Sequence, residues 1–142
     1  LAVPMAAMWR CGFVQVFLPD EHGEGWPAIM AYGPVPSSRQ ALERAGLTVD
    51  DIDRWEINEA FAVQVLAFLD HFEIVDDDPR VNPMGGAIAV GHPLAASGIR
   101  LMTNLARDFE ANPDARYGIT TMCIGLGMGG TVIWERVEEE AK

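Results

Sequence analysis

Residues 82–100 read NPMGGAIAVGHPLAASGIR, and this stretch limits what the rest of the chain can fold into. A short apolar run, Ala87 to Val90, is entered through Gly85-Gly86 and ends at Gly91, where the backbone can turn sharply because no Cβ opposes it. Pro93 suits the first turn of a helix, since its missing N–H would be an orphan there. Strand, tight corner and helix is the expected order, with His92 at the corner. There the positive end of the helix dipole would disfavour imidazolium and leave the ring able to accept a proton. From this stretch alone, a core histidine that happens to precede a proline is an equally open reading.

The flanking sequence alternates between strand and helix signals. Gly12–Leu18 (GFVQVFL) is β-branched and aromatic and reads as a strand. Residues 19–36 form a Gly- and Pro-rich loop carrying His22, which needs no role. Ser37 and Gln40 fit a capping box, and the helix through RQALERA should stop at Gly46. Residues 48–53 are an acidic connector whose spacing does not match a calcium loop, so a solvated turn fits better. Arg54–Ile57 begins a short strand, running into Asn58, a good N-cap, and Glu59, which favours a first helical turn. Ala60–Phe72 is apolar on nearly every face, as in a helix buried on more than one side. His71 lies near its end, where cations are favoured. The helix after Pro93 opens on small residues, Ala95, Ala96, Ser97 and Gly98, and should pack between layers before Asn112-Pro113 ends it. A strand over Tyr117–Cys123, a glycine loop over Ile124–Gly130 and a strand over Thr131–Val137 complete the order. This alternation predicts an α/β domain, a mixed five-stranded sheet with helices on both faces.

A formal net charge of −11 argues against nucleic acid or an anionic membrane surface as partner. No stretch approaches the roughly 18 unbroken apolar residues of a membrane span. The opening LAVPMAAM lacks a basic region, so a signal peptide is not expected; because it does not begin with Met, the start is expected to be missing or trimmed. Cys11 and Cys123 do not make a disulfide framework, which favours a reduced, cytoplasmic setting.

Two glycine motifs fail on context. Gly125, Gly127 and Gly130 spell GxGxxG, but a β-branched strand follows where a dinucleotide site needs a helix. Gly86 and Gly91 have phosphate-loop spacing, but His92-Pro93 stands where Lys-Ser is required. No Cys/His pair has metal spacing, so no metal is expected. What survives is convergence. Sites in parallel α/β sheets form beyond the carboxyl ends of strands, and Asn58, His92 and Cys123 each lie at such an end. An amide, an imidazole and a thiol can share proton transfer and oxyanion binding. Taken singly, a capping Asn, a core His and a buried strand Cys are the plainer readings.

Together these residues resemble a known family. Asn58-Glu59-Ala60-Phe61 resembles the NEAF motif of thiolases; Gly85 through Pro93, continuing to Ala96-Ser97-Gly98, resembles their GGAIAxGHP motif; Cys123-Ile124-Gly125 resembles their CxG motif. Gly33–Pro36 (GPVP) and the helix after it also fit, so the likeness covers about residues 26–137. It implies a thiolase C-terminal domain over 26–142, with 1–25 an N-terminal strand and loop at a truncated edge. The departures are Met84 for an Asn, Ala95 for a Gly, and Leu126 and Met128 for the Gly and Gln of CIGGGQG. The Leu126 change could narrow the site or alter substrate choice.

The resemblance implies acyl transfer to or from coenzyme A, either 3-ketoacyl-CoA thiolysis or acetoacetyl-CoA formation, within fatty acid and lipid metabolism. CoA would be a substrate, with no bound cofactor. His92 would activate the nucleophile and help bind a thioester oxygen. Cys123 would move the proton at the α-carbon. Asn58 would orient a water in one oxyanion hole, and the Gly125 N–H would contribute to a second. The family's nucleophile belongs to the first half, and Cys11 is not in its motif, so the expected partner is a nucleophile-bearing thiolase half or a second copy. The alternative is a non-catalytic acyl-CoA-binding or scaffold half-domain. Helices as apolar as Ala60–Phe72 and Leu94–Leu105 cannot be covered by one small sheet. The isolated chain should therefore expose a large apolar patch or self-associate. Light scattering at high concentration tests this, and a strictly monodisperse monomer would count against it.

Overall fold

The short strand Arg54–Ile57 (β1) sorts its side chains by alternation. Trp55 and Ile57 face one way and are fully buried, while Arg54 and Glu56 face the other. The computed structural model describes residues 32–125 and 127–137. Among them are helices Pro34–Ala45 (α1), Ala62–His71 (α2), Ala87–Val90 (α3) and Ser97–Ala111 (α4), and strands Tyr117–Gly125 (β2) and Met128–Glu135 (β3). β1 runs parallel to β2 and β2 antiparallel to β3, in the order β1-β2-β3.

Helices cover both faces, as expected. Against Trp55 and Ile57 the core gathers Val35 and Leu42 of α1, Phe68 and Leu69 of α2, and Ile119 and Ile133 of the sheet. Trp55 and Phe68 meet edge-on at 5.8 Å between ring centres, the arrangement aromatic quadrupoles favour. On the opposite face α4 lies over β1 and β2, with Leu105 and Phe109 filling the space that Gly118 leaves open. Arg54 pairs there with Asp108. The approach of α1 to β3 is closer still. A Cβ on Gly129 would stand 2.0 Å from the Gly33 carbonyl oxygen, so backbone touches backbone.

The sheet holds three strands among the described residues rather than five. The strand expected over Gly12–Leu18, with Cys11 and His22, lies outside the described residues. Ala87–Val90 is a single helical turn, not a strand. The place it would take beside β1 is used by Val81, which makes one parallel bridge to Trp55. Asn82 then turns away at φ 43°, and its carboxamide takes the Ile57 N–H at 2.8 Å and the Ile57 carbonyl at 3.0 Å. The edge of β1 is thereby closed by a side chain.

Other boundaries differ for similar reasons. α1 opens at Pro34, three residues before the expected cap, because Ser37 and Ser38 are buried against Thr121 and Thr131. It does end at Gly46, in the left-handed region at φ 69°. The acidic connector is a 3-10 turn, Val49–Asp51, closed by a Thr48–Asp51 capping box. α2 begins at Ala62, and Asn58 and Glu59 are engaged elsewhere. That helix is buried on one side only, leaving Phe61, Val63 and Leu66 exposed. α4 likewise buries Ser97 and Leu101 but exposes Ile99, and Leu94 before it is 81% exposed. His71 is no helix-end cation: burial, then the Arg39 guanidinium it touches, lowers its pKa. No helix among the described residues is long and apolar enough to cross a membrane.

Glu56 sits on the α4 side of β1 with 1% of its surface exposed. Burial pushes its carboxyl up to about 7, against smaller lowering effects of the Asn104 hydrogen bond and the Arg100 charge. A carboxyl raised in the folded state stabilises the fold while it holds its proton. That contribution is complete below the ordinary carboxyl range and is lost as pH rises through the folded value. Wild type should therefore lose stability relative to Glu56→Gln between about pH 5 and pH 8 in urea titrations. Parallel profiles for the two proteins would contradict this.

Candidate functional site

The carboxyl end of β1 delivers Asn58 into a fully buried position. Its N–H continues the parallel ladder, donating to the Thr121 carbonyl on β2 at 2.9 Å. With its backbone fixed, the side chain projects beyond the strand end. There Asn58 Nδ2 lies 3.3 Å from His92 Nε2. The amide and the imidazole, separated by 34 positions in sequence, are thus brought together.

The ring is held from its other side as well. His92 Nδ1 is 2.6 Å from Ser97 Oγ, and Ser97 donates its hydroxyl proton to the Pro93 carbonyl at 3.1 Å. With its one hydroxyl hydrogen directed at Pro93, Ser97 would accept from Nδ1–H and leave Nε2 to accept from the Asn58 amide. Either way the imidazole is gripped at both nitrogens, with Nε2 toward the strand end. The helix dipole contributes less than the sequence position of His92 implies. Regular α4 begins only at Ser97, although the Pro93 carbonyl already accepts N–H groups from Ala96 and Ser97.

Gly91 makes this corner possible. Its φ of 94° is a conformation that side-chain-bearing residues rarely adopt, and it turns the chain from α3 toward the sheet. Cys123 lies on β2, two positions past Thr121, at the sheet end where Asn58 leaves β1. Its side chain is half-buried, and it forms no disulfide among the described residues. The pairing register then slips between Cys123 and Gly125. Gly125 takes a φ of 96° at the bulge, and the expected glycine loop shortens to a hairpin turn ahead of Met128. Leu126 lies outside the described residues. No cluster of three His, Cys, Asp or Glu among the described residues could hold a metal ion.

Sequence reasoning misses three supporting residues. Ser97 has the look of a small residue for helix packing. Glu59 reads as an acid for a helical first turn, and Asn82 carries no signal beyond that of a turn-forming residue before Pro83. Only the 2.6 Å contact to His92 and the bonds at Ile57 and Ile88 reveal their parts.

These features define an α/β domain that brings an imidazole and a carboxamide together at the carboxyl end of β1, with a thiol on the neighbouring parallel strand β2. Residues 21–136 match the family model described as Thiolase, C-terminal domain. The 3-ketoacyl-CoA thiolases of Marinobacter nauticus and Hahella chejuensis are each 52% identical over 112 residues, covering 78% of this chain and 28% of theirs. That of Serratia proteamaculans is also 52% identical over 112 residues, covering 78% of this chain and 29% of its own. The chain belongs to the thiolase family and corresponds to its C-terminal domain. It spans little more than a quarter of the length of these relatives.

Replacing Ser97 by Ala removes the acceptor for Nδ1–H. Ring 15N shifts of His92 should move from one dominant tautomer toward a mixture, with a stability loss of about 1 kcal/mol. An unchanged tautomer pattern would contradict the Ser97–His92–Asn58 hydrogen-bond order.

Proposed function

We propose that this chain supplies the acid/base and oxyanion half of a thiolase site, acting in acyl transfer to or from coenzyme A. The single observation that carries the proposal is the Asn58–His92 contact at 3.3 Å, with Nε2 of the ring facing the amide. In thiolysis, a cysteine thiolate supplied by a nucleophile-bearing half would attack the 3-keto carbon of a 3-ketoacyl-CoA. His92 Nε2 would take the proton from that thiol. The bond between the α-carbon and the keto carbon would break, giving an acyl-enzyme and the enolate of acetyl-CoA. Cys123 would deliver a proton to the enolate carbon. The Cys123 thiolate would then take the proton of a CoA thiol, which accepts the acyl group, and the released nucleophilic cysteine would recover its proton from His92. Acetoacetyl-CoA formation is the same sequence in reverse.

The charge that develops on oxygen in these steps needs fixed donors. Asn58 would hold a water beside His92 at one oxyanion. Its carboxamide oxygen, buried without a hydrogen-bond partner, supplies an acceptor for that water. The Gly125 N–H would serve the second oxyanion. Metal and bound cofactor have no part in this scheme, and CoA enters as substrate.

A binding or scaffold role without turnover is the competing reading, and the exposed Phe61, Val63, Leu66 and Leu94 side chains offer a surface for it. Combining the chain with a nucleophile-bearing thiolase half and assaying thiolysis of acetoacetyl-CoA separates the two. Turnover is expected, falling at least about 100-fold on His92→Ala. Acyl-CoA binding with no turnover under any partner condition would favour the scaffold. Full activity after His92→Ala would overturn the roles assigned to His92 and Asn58.

A further inference from the structure

Glu59 follows Asn58 directly, yet its side chain goes to a different place. One carboxylate oxygen, Oε1, accepts from Asn82 Nδ2 at 2.9 Å; the other, Oε2, accepts the Ile88 N–H at 2.8 Å. Ile88 lies in the single turn α3, whose first N–H groups have no partners within so short a helix. Charge-assisted bonds of this kind are roughly twice as strong as neutral ones. The seat is tightly fitted. A Cβ on Gly86 would stand 2.0–2.3 Å from the carboxylate atoms, so only glycine leaves room for it. Asn82 is itself fixed by its two bonds to the Ile57 backbone.

We infer that Glu59 is a positioning residue for His92: adjacent side chains hold the two ends of the 86–92 segment, Glu59 by the Ile88 amide and Asn58 by the imidazole. The inference rests on the reading of His92 and Asn58 as site residues. Glu59 touches neither reacting atom nor ring. It fixes where the segment starts, and Gly91 then sets where His92 arrives. If the carboxylate let go, the segment would keep its tether at Asn82 through the Gly85 N–H but lose the bond that fixes the Ile88 amide.

Glu59→Gln is the informative change because it keeps size and shape. Its carboxamide oxygen can still accept from Ile88, but its NH2 then faces Asn82 Nδ2, a donor against a donor. Gly86→Ala attacks the same contact from the opposite side. In the assembly with a nucleophile-bearing half, each should lower kcat about 10- to 100-fold and leave KM within about twofold, the pattern of a misplaced group. The double variant should lose no more than the worse single one, because both break one contact. In the chain itself, Glu59→Gln should speed hydrogen exchange at the Ile88 amide and leave the Ile119 amide unchanged.

Wild-type kcat in a folded Glu59→Gln protein, or losses that multiply in the double variant, would overturn the inference. A His92→Ala assembly that stays active would sink the functional reading instead. The positioning claim would then be decided by the chain alone, and unchanged exchange at Ile88 would end it.

Discussion

The structure depends on how the edge of β1 is closed. A parallel strand of four residues offers unpaired backbone groups that must be satisfied. Val81 supplies one bridge, and the Asn82 carboxamide then imitates a further strand residue by taking both the N–H and the carbonyl of Ile57. A fourth strand on this side would have buried the site end of β1. A side chain closes the edge just as well and lets the main chain leave, so that residues 85–92 can loop back over the strand tip. The left-handed backbone of Asn82 fits this exit, since Asn tolerates that region better than most residues.

From that closure the site follows in steps. The Asn82 amide donates to Glu59, Glu59 holds α3, Gly91 reverses the chain, and His92 meets Asn58. Ser97, at the head of α4, then holds the ring at Nδ1. Each polar group in this path is short and carried on or beside a regular element. The arrangement holds the imidazole in one orientation. On the other side of the tip, the parallel register of β1 and β2 sets Cys123 beyond Thr121 at the same end of the sheet.

Much of this is legible in the sequence, for identifiable reasons. β1 is marked by its β-branched and aromatic content and by Asn58 just after it. α1 stops at the expected Gly46, where only a left-handed residue completes the turn. Asn58 stands at the carboxyl end of β1 and Cys123 near that of β2, which is where chemistry in α/β folds gathers. The misreadings share a cause: polar residues near helix starts resemble local caps. Ser37, Asn58 and Glu59 all have cap-like spacing, and each is engaged in a contact to a distant segment instead. The run Ala87–Val90 is ambiguous in principle, because four apolar residues carry no period that separates strand from helix. In the structure it forms a helical turn closed by bonds to the Gly86 and Ala87 carbonyls, with the Glu59 carboxylate at the Ile88 amide. The exposed apolar faces of α2 and the start of α4 follow the composition of those helices, which exceeds what three strands can cover.

The most direct measurement is a crystal structure of this chain assembled with a nucleophile-bearing half and acetyl-CoA. The thioester oxygen is expected within hydrogen-bond distance of His92 Nε2, with the Cys123 sulfur beside the α-carbon. An acyl group bound away from the ends of β1 and β2, with His92 still paired only to Asn58 and Ser97, would contradict the assignment.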